Sequence, residues 1–95
     1  MIWNTETQEL EDISLLTDVD KGFAIILYND DVNTFDHVIH CLIKYCKHSE
    51  EQAQQCAMIV HYKGKCQVKN GAEIELKPIC KALLDQGLSA VIEEF

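Results

Sequence analysis

An uninterrupted apolar run occupies residues 23 to 28. Its two alternating sets of positions are both apolar, with Phe23, Ile25 and Leu27 in one set and Ala24, Ile26 and Tyr28 in the other. Alternation with two apolar faces predicts a β-strand that is covered on one face and partly covered on the other.

Two segments with helical spacing follow. The first begins after Asn33 or Thr34, either of which is a suitable N-cap. The second begins with the capping box Ser49-Glu50-Glu51-Gln52, and Gly64 is a plausible stop. The apolar residues at helical spacing are Phe35, Val38, Ile39, Leu42 and Cys46 in the first helix, and Ala53, Cys56, Ala57 and Val60 in the second. His61 continues the stripe of the second helix.

The last third of the chain predicts a strand, a helix and a strand. Cys66 and Val68 alternate with polar residues, and Asn70-Gly71 is a turn signal. We expect Pro78 in the first turn of the third helix, where its missing N–H does no harm. The apolar stripe of that helix is Leu76, Ile79, Cys80 and Leu83, and the final strand alternates at Leu88, Ala90 and Ile92. Gly87 separates the two elements.

The predicted order is therefore β-α-α-β-α-β. Helices of this length need a sheet against which to bury their stripes, which predicts a two-layer α/β (α+β) sandwich. Residues 1–20 carry six acids and no Lys or Arg, and their apolar residues show no clear period. We therefore expect a flexible acidic N-terminal extension over residues 1–21 and one folded domain over residues 22–95.

Charge excludes some partners. The chain has eight Lys, no Arg and 16 acids, for a net charge of −8, which disfavours nucleic acid but can attract a positively charged peptide end. No apolar stretch approaches the length of a membrane span, and the N-terminus lacks the pattern of a signal peptide. We expect a cytoplasmic protein that binds neither nucleic acid nor membrane.

Five cysteines lie at positions 41, 46, 56, 66 and 80. The number is odd and no pair forms a CxxC motif. Most of them fall on apolar helix or strand faces, which indicates reduced, buried, small hydrophobic residues rather than disulfides or metal ligands.

The candidate chemistry lies at Asn29, Asp30 and Asp31, which follow the first strand, and at His61. Three polar residues at a strand end are typical of a turn with Asx hydrogen bonds, and a His at a helix end commonly bonds a carbonyl. If the fold brings them together, an amide oxygen, a carboxylate and an imidazole can accept all three N–H donors of a protonated amine. Both interpretations remain open on these residues alone.

Two other chemistries are weaker. Asp30, Asp31 and His61 could form an acid-base set, but no Ser-His or Cys-His nucleophile motif stands out, so we do not predict an enzyme. His37, His40 and His61, together with a Cys, could suggest zinc, but His37 and His40 are only three positions apart and the chain has no second compact ligand pair. We expect no metal and no cofactor.

The pattern NDDxxTxxxV at residues 29–38 and the segment VHYKGK at residues 60–65 closely resemble ClpS, the adaptor that brings proteins with destabilising N-terminal residues to a Clp-type AAA+ protease. The likeness covers residues 23–95. It implies a three-stranded antiparallel sheet, and it implies that Asn29, Asp30 and His61 bind the substrate α-amine. Asp31 and Asn33 are then turn or support residues.

The same resemblance implies an apolar pocket for the first side chain of the substrate. The matching residues are Phe35, Val38, Ala57, Val60 and Leu88, whose alternative role is ordinary core. The family often has Met at the positions of Phe35 and Ala57.

The resemblance also implies partners. These are the N-terminal segments of substrate proteins and the N-terminal domain of a Clp-family AAA+ unfoldase. Docking on the unfoldase would use Glu73 and, one position out of register, Lys77, and the N-terminal extension would engage the protease. The alternative is a protein-interaction domain like the C-terminal domain of the ribosomal stalk, which shares the order of elements but has no reason to carry both motifs.

Overall fold

A central strand organises the fold in the computed structural model, which describes residues 22–94. The elements are β1 (Phe23–Tyr28), α1 (Phe35–Cys46), α2 (Glu50–Lys63), β2 (Lys65–Gly71), α3 (Glu73–Asp85) and β3 (Ser89–Glu94). The sheet has the order β2-β1-β3, and both strand pairs are antiparallel. The predicted α+β sandwich, with three helices and a three-stranded antiparallel sheet, is confirmed. The predicted N-terminal extension lies outside the described residues, as does Phe95.

The core lies between the sheet and the helices. Its largest fully buried side chains come from every layer, namely Ile25, Leu27, Cys41, Leu42, Leu76 and Leu83. Burying one such aliphatic side chain contributes about 1.5–3 kcal/mol. This packing fixes the helices relative to β1, and it therefore fixes the positions of the side chains at the end of that strand.

The N-termini of α1 and α2 are capped as their sequences predict. The side chain of Thr34 accepts from the backbone N–H of His37 at 3.1 Å. Ser49 and Gln52 form the reciprocal capping box, and Gly64 ends α2 with a φ of +94°. The capping box and Gly64 therefore define the two ends of α2, the helix that carries His61.

Two predictions around α3 are wrong. Asn70 and Gly71 do not form a turn but are the last residues of β2. Pro78 is not in the first turn, because α3 begins at Glu73 with Ala72 as an N-cap that makes no side-chain hydrogen bond. Without a Ser, Thr, Asp or Asn at that position, the sequence offered no cap signal.

A bulge interrupts the pairing of β1 with β2. Ile25 pairs with Lys69 and Ile26 with Gln67, so that Val68 is the extra residue. The carbonyl of Val68 is 2.6 Å from Nε2 of His48, and this ring nitrogen donates because a carbonyl can only accept. His48 thus joins the loop between α1 and α2 to the edge strand.

Candidate functional site

The two sequence motifs meet through one backbone hydrogen bond. The N–H of Asn29, just after β1, donates to the carbonyl of Gly64 at 2.9 Å. Gly64 is the C-cap of α2, and its own N–H donates to Val60 at 2.9 Å. The last turn of α2, which carries His61, is therefore tied to the loop that begins with Asn29 and Asp30.

A cavity of about 390 Å³ opens at this junction. Every residue that the sequence analysis assigned to the amine site, the side-chain pocket or the supporting turn lines it. They are Asn29, Asp30, Asp31, Asn33, Phe35, Val38, Ala57, Val60, His61 and Leu88. The structure brings these ten residues together, while their roles remain predictions.

The apolar part of the cavity is built from α1, α2 and the segment before β3. Ala57, Val60 and Leu88 are almost fully buried, at 3%, 5% and 3% exposure. Val38 is half-buried, and Phe35 is 42% exposed at the start of α1. The cavity therefore has a buried inner wall and an accessible aromatic side chain.

Leu88 is positioned by the way α3 ends. The N–H of Leu88 donates to the carbonyl of Leu83 at 3.1 Å, and the N–H of Gly87 donates to Leu84 at 2.9 Å. This pair of bonds is a Schellman motif, which needs a residue with positive φ, and Gly87 has a φ of +88°. The motif turns the chain sharply and brings Leu88 to the cavity wall.

The carboxylate of Asp30 organises the polar end of the cavity. Its Oδ1 accepts from the backbone N–H groups of Val32 and Asn33, each at 3.0 Å. Its Oδ2 accepts from the side-chain amide of Asn33 at 2.9 Å and from the hydroxyl of Ser89 at 3.2 Å. These hydrogen bonds, led by that from the Asn33 backbone, lower the pKa of Asp30 and keep it anionic near neutral pH.

Asp30, rather than Asp31, accepts the hydrogen bonds of this turn. Asp31 is the residue predicted to shape the turn, but within residues 22–94 the backbone N–H groups of the turn donate to Asp30. Asp31 is exposed and lines the cavity. The side-chain amide of Asn33 also donates to the carbonyl of Gly87 at 2.8 Å, and its supporting role at the site stays a prediction.

The ring of His61 is exposed at the cavity mouth. It lies edge-on to Phe35, with ring centroids 6.2 Å apart, and edge-on to Tyr62 at 4.9 Å. These two aromatic contacts restrict the orientation of the imidazole ring at the cavity.

Two lining residues were missed by the sequence analysis. Leu27 and Tyr28, the last residues of β1, also face the cavity. The hydroxyl of Tyr28 donates to Glu93 at 2.6 Å, which raises the pKa of Tyr28. Their position immediately before Asn29 could have predicted this, because the last residues of a strand that ends at a site lie next to that site.

The proposed docking residues are separate from the cavity. Glu73 and Lys77 are exposed on α3, and neither lines the cavity. Glu73 occupies the first helical turn, where the helix dipole favours a negative charge. Their structural role is that of ordinary surface residues, and the docking contact stays a prediction.

The cysteines are free thiols. Cys41, Cys46 and Cys80 are buried as predicted, whereas Cys56 and Cys66 are half-buried. Burial raises the pKa of Cys46 to about 11, so its reactive thiolate form is rare near neutral pH.

The family model of the ATP-dependent Clp protease adaptor protein ClpS matches residues 18–90. The chain belongs to the ClpS family. The resemblance recognised in the two motifs is thereby confirmed. ClpS proteins are adaptors of the Clp protease rather than enzymes, so the partner class is a component of that protease.

Individual relatives agree with this assignment. The chain is 27% identical over 89 residues to the ATP-dependent Clp protease adapter protein ClpS of Streptomyces coelicolor, which covers 94% of this chain and 93% of the relative. It is 35% identical over 69 residues to the ClpS of Thermosynechococcus vestitus, covering 72% of this chain and 73% of the relative.

A solved structure supports the fold. The structure of Agrobacterium tumefaciens ClpS2 bound to L-phenylalaninamide is similar, with a TM-score of 0.76 and 22% identity, and the match covers 80% of this chain and 99% of that chain. Within residues 22–94, no helix is both long enough and apolar enough to span a membrane.

Proposed function

We propose that this ClpS-family chain binds the free N-terminal amine and the large apolar first side chain of substrate proteins, and delivers those proteins to a Clp AAA+ protease. The observation that carries the proposal is the single cavity in which Asn29, Asp30 and His61 lie beside a buried apolar wall. An N-terminal residue has the same two parts, a charged amine and a side chain, at a fixed separation.

The polar end suits an ammonium group. A protein N-terminus is mostly protonated near neutral pH and has three N–H donors. Asn29 can offer an amide oxygen, His61 a ring nitrogen and Asp30 a negative charge held by hydrogen bonds. Since Asp30 already accepts several internal bonds, its main contribution is charge. Its Oδ1 is within hydrogen-bond distance of three donors, counting the Asn33 side chain at 3.1 Å, and its Oδ2 of two.

The apolar end suits a large hydrophobic side chain. Buried wall residues cannot be solvated well when the cavity is empty, so an apolar ligand gains by covering them. Agrobacterium ClpS2 supports this interpretation, because its structure contains L-phenylalaninamide, which has an α-amine and a benzyl side chain.

Delivery requires a second surface. We assign it to the exposed face of α3 around Glu73 and Lys77, with the N-terminal extension of residues 1–21 engaging the protease. The unfoldase contact would be its N-terminal domain. The cytoplasm is the compartment that fits such a partner.

Catalysis by Asp30, Asp31 and His61 is a weaker alternative. A general acid needs a pKa near the working pH, whereas hydrogen bonds lower the pKa of Asp30 from its ordinary value. Asp30 therefore cannot supply a proton near neutral pH.

The test compares a peptide with free N-terminal Leu with its N-acetylated twin by calorimetry. Acetylation removes the charge of the amine, and the loss of a hydrogen bond to a charged group costs about 1.5–3 kcal/mol, so we expect the twin to bind at least tenfold more weakly. A peptide that begins with Ser, which lacks a large apolar side chain, tests the apolar pocket. Equal binding of the acetylated twin would overturn the amine site, and equal binding of the Ser-first peptide would overturn the pocket.

A further inference from the structure

One side-chain amide bonds to the polar end of the cavity and to the residue that precedes its apolar wall. The Nδ2 group of Asn33 lies 3.1 Å and 2.9 Å from the two carboxylate oxygens of Asp30 and 2.8 Å from the carbonyl oxygen of Gly87. Asp30 belongs to the polar end of the cavity, and Gly87 directly precedes Leu88 of the apolar wall. The backbone N–H of Asn33 also donates to Asp30 at 3.0 Å.

The two groups that accept from this amide lie on different segments of the chain. The Asp30 carboxylate lies on the loop after β1, and the carbonyl of Gly87 lies on the sharp turn after α3. In sequence, Asn33 and Gly87 are 54 residues apart. An amide group has two N–H donors, so it can serve a carboxylate and a carbonyl at once, which a single hydroxyl cannot.

Other side chains hold each end separately. Ser89 donates to Oδ2 of Asp30 at 3.2 Å without touching the turn. His37 lies with Nε2 2.9 Å from the carbonyl of Gln86, so it binds the turn but not Asp30. Among residues 22–94, Asn33 is the side chain that bonds to both, and this sets it apart from Ser89 and His37.

We propose that Asn33 is a positioning residue that couples the two ends of the cavity, holding the Asp30 carboxylate for the amine and the Gly87–Leu88 backbone for the substrate side chain. The inference rests on the proposed function and adds a specificity determinant to it. Asn33 acts through its neighbours, so removing its amide should disturb both kinds of recognition together.

Three variants test whether Asn33 couples the two ends of the cavity or whether each end is held independently. Asn33→Ala removes both links, Ser89→Ala removes one bond to Asp30, and His37→Ala removes one bond to the turn. Two ratios are measured by calorimetry for each protein. The amine ratio compares peptides with free and acetylated N-terminal Leu, and the side-chain ratio compares peptides that begin with Leu and with Val.

Asn33→Ala should lower both ratios. We expect the amine ratio to fall about tenfold, as for the loss of a hydrogen bond to a charged group. We expect the side-chain ratio to fall about threefold, part of the tenfold or more that the fit of one methylene can provide. Ser89→Ala should lower the amine ratio alone, and His37→Ala the side-chain ratio alone.

A measurement without peptide tests the link itself. In Asn33→Ala, the pKa of Asp30, followed by NMR of its carboxyl carbon, should rise toward its ordinary value, and the backbone resonances of Gly87 and Leu88 should shift. Thermal unfolding shows whether each variant remains folded.

The outcomes distinguish this inference from the proposed function. If the wild-type protein prefers the free amine but Asn33→Ala keeps both ratios, the coupling is overturned and the proposed function stands. If the Asp30 pKa and the Gly87 resonances do not move, the coupling is also overturned. A wild-type protein that binds neither peptide overturns the proposed function, and with it the positioning role.

Discussion

The backbone N–H of Asn29 donates to the carbonyl of Gly64 at 2.9 Å, and this bond joins the end of the central strand to the end of α2. It unites segments that are 35 positions apart in the sequence. Because His61 lies in the last turn of α2, this backbone bond places His61 beside the loop of Asp30. The proposed amine site therefore depends on how α2 ends.

The first prediction concerns pH and His61. A neutral imidazole can accept a hydrogen bond from an ammonium group, but an imidazolium cannot, and imidazoles change charge between about pH 5 and 8. Affinity for a peptide with free N-terminal Leu should therefore fall from pH 8 to about pH 5.5. The pKa of Asp30 is lowered, so Asp30 remains ionised throughout this window.

His61→Ala should flatten that pH response. His40→Ala is the matched control, since His40 is exposed on α1 and does not line the cavity. An affinity that stays constant across the range in the wild-type protein would exclude His61 as an acceptor.

The second prediction concerns Asp30 and stability. Folding lowers the pKa of Asp30, so its ionised form stabilises the folded state above its unfolded pKa of about 3.9, and this contribution is lost as pH falls through the folded value. Asp30→Asn retains Oδ1 for the turn but places an NH₂ group against the donors of Asn33 and Ser89. We expect a loss of about 1–2 kcal/mol in unfolding free energy near pH 7.

Denaturant titrations at pH 7 and at about pH 3 would measure this. The difference between wild type and Asp30→Asn should be smaller at the acid pH. Asp31→Asn is the matched control and should be close to neutral for stability, because the turn bonds within the described residues are accepted by Asp30. A pH-independent difference would show that the charge of Asp30 does not stabilise the fold.

The third prediction concerns the capping box. Ser49→Ala removes the acceptor for the N–H of Gln52, which is 3.1 Å away, and a lost N-cap costs about 1 kcal/mol. Peptide affinity should be unchanged, because Ser49 is at the opposite end of α2 from His61. Gln55→Ala, at an exposed position inside the same helix, should cost less than half as much. Equal losses in the two variants would show that the cap contributes nothing beyond helix propensity.

Local signals account for much of what the sequence predicted. The capping box at Ser49, the apolar stripes and Gly64 are each read from a few neighbouring residues, and the fold preserves them. The start of α3 was missed because Ala72 has no capping side chain. The position of Pro78 was then wrong for the same reason, since the helix begins earlier than the sequence suggests.

The site was predictable as a set of residues but not as a network. Adjacent Asp30 and Asp31 look equivalent in the sequence, and only the path of the chain decides which carboxylate accepts the turn bonds. The link from Asn33 to Gly87 depends on packing between distant segments. Such a contact has no periodicity or spacing by which a single sequence could reveal it.

The last prediction concerns the specificity of the pocket, and it rests on Ala57. This residue is 3% exposed, lines the cavity, and lies one helical turn before His61. The family often has Met here, whose longer side chain would crowd a substrate residue branched at its β-carbon. With Ala57, the chain should prefer large apolar first residues such as Leu and Phe, yet bind Ile and Val better than Ala57→Met does.

The gap should be modest, because the fit of a methylene is worth about 1–3 kcal/mol. Phe35, on α1, also lines the cavity. Affinities for peptides that begin with Leu, Phe, Ile and Val are measured for the wild type and for Ala57→Met. Gln54→Met is the matched control, since it adds the same side chain to an exposed position of α2 outside the cavity. It should leave the order of affinities unchanged. Thermal unfolding checks that Ala57→Met is accommodated by the cavity rather than overpacking the core. If Ala57→Met and the wild type discriminate Leu from Ile and Val equally, residue 57 does not control entry to this pocket.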